Sequence, residues 1–269
     1  MVAVTSAIQV LLMVGAPAAL VWWLVRRGAS IGLIGAGALT FVGSQVVHIP
    51  LNIGLTWLVN QSFMPQIPRA HAPIFNAVVL GFTAGLCEEW ARYLVLRAWM
   101  KKARSFREAI AFGAGHGGVE SAILGALVAL TAFSMVLTEA VDPALLGVPP
   151  EAMGEVEAQL EAWWSMPWYH PLLGGGERLM AITLHLSFSA LVMRAVIVGQ
   201  TRLVWLAVLA HMGVDALVVY VMATWGPLAS EGALLAAMVM PAAILVLAYR
   251  ASARDGTLER AEEEGESPT

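Results

Sequence analysis

Residues 5–25 and 31–58 contain no Asp, Glu, Lys or Arg. A helix crosses a hydrocarbon core of about 30 Å with roughly 20 apolar residues. Backbone polar groups in lipid must be satisfied within the spanning structure, which leaves helices and closed barrels. Uninterrupted apolar runs of this length read as helices. Similar runs at about 74–98, 108–137, 179–199, 203–222 and 227–249 continue the pattern. The expected fold is all-α: a polytopic bundle of about seven transmembrane helices, one domain over residues 1–250. Composition agrees, with 13% charged residues and a mean hydropathy of +0.74, against about 25% charged in soluble domains. Pro50 lies inside the second span, where a kink or break is expected.

Basic residues orient the bundle through their excess in cytoplasmic loops. Arg26, Arg27, Arg97, Lys101, Lys102, Arg104, Arg107, Arg202, Arg250, Arg254 and Arg260 share one side under a seven-helix count, against Arg69 and Arg178 on the other. The N-terminus is therefore expected outside and the C-terminus inside. Ala16-Pro17-Ala18 resembles a cleavage site, but Arg26 and Arg27 follow the apolar run instead of preceding it. That order predicts an uncleaved first helix. The outer loop, 138–178, has an acidic stretch from Glu151 to Glu161 and then Trp163, Trp164, Trp168 and Tyr169. It predicts an amphipathic segment at the interface. Residues 251–269 read as an acidic, disordered cytoplasmic tail.

Some classes drop out. The single cysteine, Cys87, forms no intrachain disulfide and no zinc knuckle. No basic patch with interleaved aromatics supports nucleic-acid binding. The chain shows no internal repeat, which weighs against transporters built from inverted halves.

Ionisable residues inside the spans carry the functional information. Each costs about 2.5–3.5 kcal/mol at mid-membrane on insertion scales. The third span contains Glu88, Glu89 and Arg92, and the fourth His116 and Glu120. His185 lies in the fifth, His211 and Asp215 in the sixth, and His48 in the second. At 100° per residue, Glu88, Glu89 and Arg92 share an arc of roughly 100° with Gly81 and Gly85. His116 and Glu120 stack one turn apart, flanked by Gly113 and Gly117, and His211 and Asp215 repeat that spacing. A rise of 1.5 Å per residue puts Glu89, His116 and His211 about 12–15 Å deep, with Glu120 and Asp215 at about 18–20 Å. His185 and His48 compute nearer the outer half. Arg92 also suits a structural ion pair with Glu88, and His48, near Asn52, suits packing.

Two glutamates beside an arginine can supply an acid and a base. Histidines facing them can donate to an oxyanion or bind a metal. Water held among these groups suits amide hydrolysis. No Ser or Cys stands beside a His for a covalent route, and no His-Glu-x-x-His motif occurs.

Glu88-Glu89-Trp90-Ala91-Arg92, Phe112-Gly113-Ala114-Gly115-His116 and His211-Met212-Gly213-Val214-Asp215 resemble three motifs of a known group. It is the CAAX-protease and bacteriocin-processing (CPBP) superfamily of intramembrane proteases, also called the abortive-infection family, with the glutamic protease PrsW as a relative. The run from Cys87 to Arg92, the stretch Phe112 to Glu120, and Glu177-Arg178 followed by His185 are most similar to its bacterial YhfC branch. The resemblance covers about residues 75–220. It implies Glu88 as water-activating base, Glu89 as its partner and Arg92 as the residue orienting both. His116 and His211 would stabilise the oxyanion or ligate a metal such as Zn2+, with His185 as a further candidate ligand. Asp215 would support His211, and Glu120 would join the catalytic set. Prenyl-protein members carry three residues between the second Glu and the Arg; two stand here, which argues against prenylated substrates.

The expectation is an intramembrane endopeptidase, metallo- or glutamic in type, in a bacterial cell membrane. Its partners would be the bilayer and a membrane-embedded or membrane-proximal peptide. The competing readings are a proton- or cation-coupled transporter and a non-catalytic scaffold.

Overall fold

The computed structural model describes residues 1–61, 63 and 66–259. Among them are eight helices and no strand: α1 Val2–Arg26, α2 Ile31–Asn60, α3 Ala72–Leu94, α4 Phe106–Ala140, α5 Met153–Ser165, α6 His170–Val198, α7 Arg202–Trp225 and α8 Pro227–Arg254. Six of these, all except α3 and α5, are long and apolar enough to cross a membrane. α3 has 23 residues but carries the Glu88, Glu89 and Arg92 charges. Those three side chains face the interior of the bundle, whereas Val46, Val47, Leu130, Phe133 and Leu247 stay exposed, as lipid-facing groups do.

Lipid tails are as apolar as leucine, so small residues that let backbones approach do much of the packing. A Cβ on Gly81 would stand 2.7 Å from the Met212 carbonyl oxygen, and one on Gly85 2.7 Å from that of Val208. α3 therefore lies directly on α7. Gly37 and Gly115 join α2 to α4 more closely still: added Cβ atoms would come within 2.0 Å of Phe112 O and 1.9 Å of Ile34 O. α6 is the most buried of the six spanning helices and lies at the centre of the bundle.

Helix ends and interruptions have local causes. Pro17 has no N–H to offer the Met13 carbonyl four residues back. α1 widens into a π turn over Leu11–Gly15, and the buried Ser121 hydroxyl of α4 donates to Met13 O at 2.7 Å. α4 starts in a capping box. The Ser105 hydroxyl accepts from the Glu108 amide at 3.2 Å, while Glu108 Oε2 accepts from Ser105 Oγ and from the Arg104 amide, both at 2.9 Å. Further donors at that end are met from far along the chain: the Phe106 and Arg107 amides donate to Thr257 O and Leu258 O at 2.9 and 3.2 Å.

The structure departs from the sequence expectations in several places. Of the kink or break expected at Pro50, the break does not occur: α2 is helical from Ile31 to Asn60. α6 begins at His170, nine residues before the expected 179, so Glu177 and Arg178 belong to a helix and not to the outer loop. Within that loop α5 is a short helix with no buried residue, consistent with a surface-lying segment. Residues 251–254 finish α8 and 255–259 fold back against α4, where Glu259 pairs with Arg107 at 3.1 Å. Residues 260–269 of the expected tail lie outside the described residues.

Candidate active site

Five helices direct polar side chains to one point. α3 supplies the adjacent Glu88 and Glu89 with Arg92 one turn on, α4 His116 and Glu120, α6 Arg178 and His185, α7 His211 and Asp215, and α2 Gln45. Arg92, Glu89 and His116 are fully buried; Glu88, His185 and His211 are each 5% exposed. Glycine makes room for the meeting. A Cβ on Gly117 would stand 2.9 Å from both Cβ and Cδ2 of His185, so α4 presents a flat surface to that imidazole.

Arg92 is the hub. Its Nη2 lies 3.3 Å from Glu88 Oε2 and its Nη1 3.1 Å from Glu89 Oε1. Nη2 also reaches Nδ1 of His185 at 2.7 Å. A guanidinium only donates, so Nδ1 of His185 accepts and the ring proton sits on Nε2. That nitrogen faces Glu120 Oε2 in a close contact, as an N–H toward a carboxylate. Glu120 is held from the other side by Arg178, whose Nη1 donates to Glu120 Oε1 at 2.8 Å while its Nη2 pairs with Glu177.

His211 has the opposite pattern. Its Nδ1 lies 2.7 Å from Glu89 Oε1 and its Nε2 3.4 Å from Asp215 Oδ2. Glu89 is a carboxylate and only accepts, so Nδ1 carries the ring proton donated to it, and Asp215 flanks the opposite nitrogen. Phe188 stacks on the ring, with centroids 5.0 Å apart and planes inclined by 17°.

Glu88 is fixed at both oxygens. Oε2 meets His116 Nε2 at 3.1 Å as well as Arg92, and Oε1 accepts from Gln45 Nε2 at 3.2 Å. His48 belongs to an outer tier, with Nδ1 3.1 Å from Gln45 Oε1 and Nε2 3.2 Å from Thr83 Oγ1. Thr83 in turn donates to Asn52 at 3.0 Å.

All eight residues singled out in the sequence thus join one network, and His185 lies at its centre. Sequence reasoning passed over Gln45, which touches Glu88, and Phe188, which positions His211. The one signal for Gln45 was its i, i+3 relation to His48 in an otherwise apolar run.

A small cavity of about 100 Å³ opens onto the network, lined by Glu88, Glu120, His185, His211 and Asp215 together with Arg178. Glu89, Arg92 and His116 do not line it. The cluster therefore has a reactive face and a supporting layer.

The same groups fit a divalent metal. Glu88, His116 and His185 each offer a ligand atom within 4.8 Å of the others. Two imidazoles and a carboxylate form the three-ligand set of several catalytic zinc sites. Nδ1 of His116 is buried with no hydrogen-bond partner, a nitrogen the protein itself leaves unsatisfied. His185 is the constrained member, since Arg92 and Glu120 occupy its two nitrogens and ligation requires releasing one of them. His211, also a candidate ligand in the sequence, stands outside this set.

No solved structure matches the chain. A curated relative, "Uncharacterized membrane protein YhfC" from Bacillus subtilis (strain 168), is 31% identical over 199 residues, covering 72% of this chain and 73% of that protein. Residues 8–239, which include every member of the network, match the family described as YhfC intramembrane metalloprotease. The chain is a multi-pass membrane protein that belongs to the YhfC intramembrane metalloprotease family.

Proposed function

We propose that this protein is an intramembrane endopeptidase that hydrolyses membrane-embedded or membrane-proximal peptides with a water activated at Glu88. The observation that carries this reading is the position of Glu88: a nearly buried carboxylate, fixed at both oxygens, facing a polar cavity beside His211. In the reaction, Glu88 takes a proton from water as the water oxygen adds to the amide carbon. His211, when protonated at Nε2, directs that N–H, only loosely engaged by Asp215 at 3.4 Å, to the developing oxyanion. Collapse of the tetrahedral intermediate returns the proton from Glu88 to the leaving amine, whose C–N bond breaks. Arg92 and Glu89 hold Glu88 and His211 in place without touching substrate.

A zinc-class ion held by Glu88, His116 and His185 would supply Lewis-acid polarisation of the carbonyl and a more acidic water. Glu120, facing the same cavity, is the carboxylate placed to accept the proton in that case. The three sequence motifs support placement in the CPBP superfamily, and the distribution of basic residues supports an N-terminus outside and a C-terminus inside in a bacterial cell membrane.

The test uses detergent-purified wild type and Glu88→Gln with a library of membrane-derived peptides, with and without chelator, read by mass spectrometry. Cleavage by wild type with a loss of at least about 100-fold in Glu88→Gln is expected for an acid–base residue. Loss with chelator assigns the metal route. No cleavage by wild type would sink the protease reading in favour of a transporter or scaffold.

A further inference from the structure

The cavity at the site is small, about 100 Å³, and is lined by the reactive groups themselves. A second cavity of about 490 Å³ adjoins it between α1, α4, α5 and α6. Glu177 and Arg178 line both spaces, so the Glu120–Arg178–Glu177 ion chain forms the partition between them. Gln9 of α1 offers amide hydrogen bonds in the larger cavity, Met13 and Leu127 offer apolar surface, and Trp163 of α5 covers it. The wall between α1 and α6 is closely fitted: a Cβ on Gly174 would lie 2.5 Å from Gln9 Nε2, and one on Gly175 2.8 Å from Leu12 Cδ1.

We infer that the cavity beneath α5 is the subsite for the extended peptide segment flanking the scissile bond, and that Arg178 separates it from the reactive chamber. This rests on the protease reading. An extended segment presents unpaired backbone N–H and C=O groups that are costly to leave in lipid. Gln9 beside apolar walls suits such a segment, whereas an intact helix has no backbone groups to offer. Passage of the chain requires Arg178 to leave Glu120 or Glu177, which couples occupancy of the subsite to the carboxylate that holds His185.

The experiment places a photoreactive benzoylphenylalanine at Thr131, on the wall of the cavity, in Glu88→Gln protein. Irradiation follows incubation with the same membrane-peptide library. Peptides that wild type cleaves should be captured within a few residues of the cleavage point. Ala132→Trp, which fills the cavity, should reduce capture at least tenfold with the unfolding midpoint unchanged. Cleavage by wild type without capture at Thr131, capture insensitive to Ala132→Trp, or capture of lipid alone would each overturn the subsite. Absence of wild-type cleavage tests the protease reading separately, and capture then still reports whether peptide occupies the cavity.

Discussion

Arg92 donates to Nδ1 of His185 across 2.7 Å, and that bond sets which nitrogen of the imidazole carries a proton toward Glu120. One buried guanidinium thus fixes two carboxylates of its own helix and the tautomer of a histidine on another.

Arg92→Ala leaves Glu88 and Glu89 buried beside no fixed cation. Loss of one partner from a buried pair costs about 3–5 kcal/mol, so a large drop in the unfolding midpoint in detergent is expected. Arg92→Lys keeps the charge but not the fork that reaches three acceptors. It should fold and lose most hydrolysis; full activity in Arg92→Lys would show that the fork is dispensable.

Two glycines in the sequence motifs should behave differently. Gly117→Ala forces a methyl to within 2.9 Å of the His185 side chain, whereas a Cβ at Gly213, inside the His211–Asp215 motif, meets nothing within 4 Å. Gly117→Ala should lose at least tenfold in peptide cleavage and Gly213→Ala should remain near wild type. Equal rates in the two variants would contradict the observed approach of α4 to His185.

Glu89→Gln and Asp215→Asn act on the two ends of the same imidazole. Glu89 holds His211 at 2.7 Å and is fully buried; Asp215 stands at 3.4 Å and is 36% exposed at its side chain. The larger fall in kcat is expected from Glu89→Gln, with KM little changed in both. A larger effect from Asp215→Asn would mean that the looser contact anchors the ring.

Metal content separates the histidines. Purified protein carrying a stoichiometric divalent metal should lose it in His116→Ala and His185→Ala, and keep it in His211→Ala, when metal is measured by elemental analysis. Metal loss confined to His211→Ala would place the ligands elsewhere than the cluster with ligand spacing.

Ser121→Ala removes the donor that satisfies Met13 O at the π turn. A buried acceptor left unpaired costs about 1–3 kcal/mol, so the unfolding midpoint should fall while hydrolysis by the folded fraction persists. An unchanged midpoint would imply that α1 closes the gap by itself.

Much of this arrangement is legible from residue order because lipid makes charge placement costly. Uncharged runs locate α1 and α2 closely, long apolar stretches with few charges locate α4 and α7, and i, i+4 spacing pairs His116 with Glu120 and His211 with Asp215. The errors have specific causes. Glu177 and Arg178 read as loop residues because hydropathy cannot see that an arginine is neutralised by Glu120 from another helix. Starting α6 too late then shifts His185 toward a helix end, when it lies well inside His170–Val198. Gln45 carries no charge to mark it as a site residue, and its role depends on where α2 meets α3. The π turn at Leu11–Gly15 answers to Ser121, more than a hundred residues away.

The junction between the start of α4 and residues 257–258 bears on how the protein is made. During synthesis α4 and its motif histidine emerge and insert while the carbonyls of Thr257 and Leu258 are still untranslated. Until then the Phe106 and Arg107 amides must be hydrated at the membrane surface. The segment just after α8 therefore completes the mooring of α4, and a chain halted before residue 257 would hold His116 and Glu120 on a helix with an unfinished end.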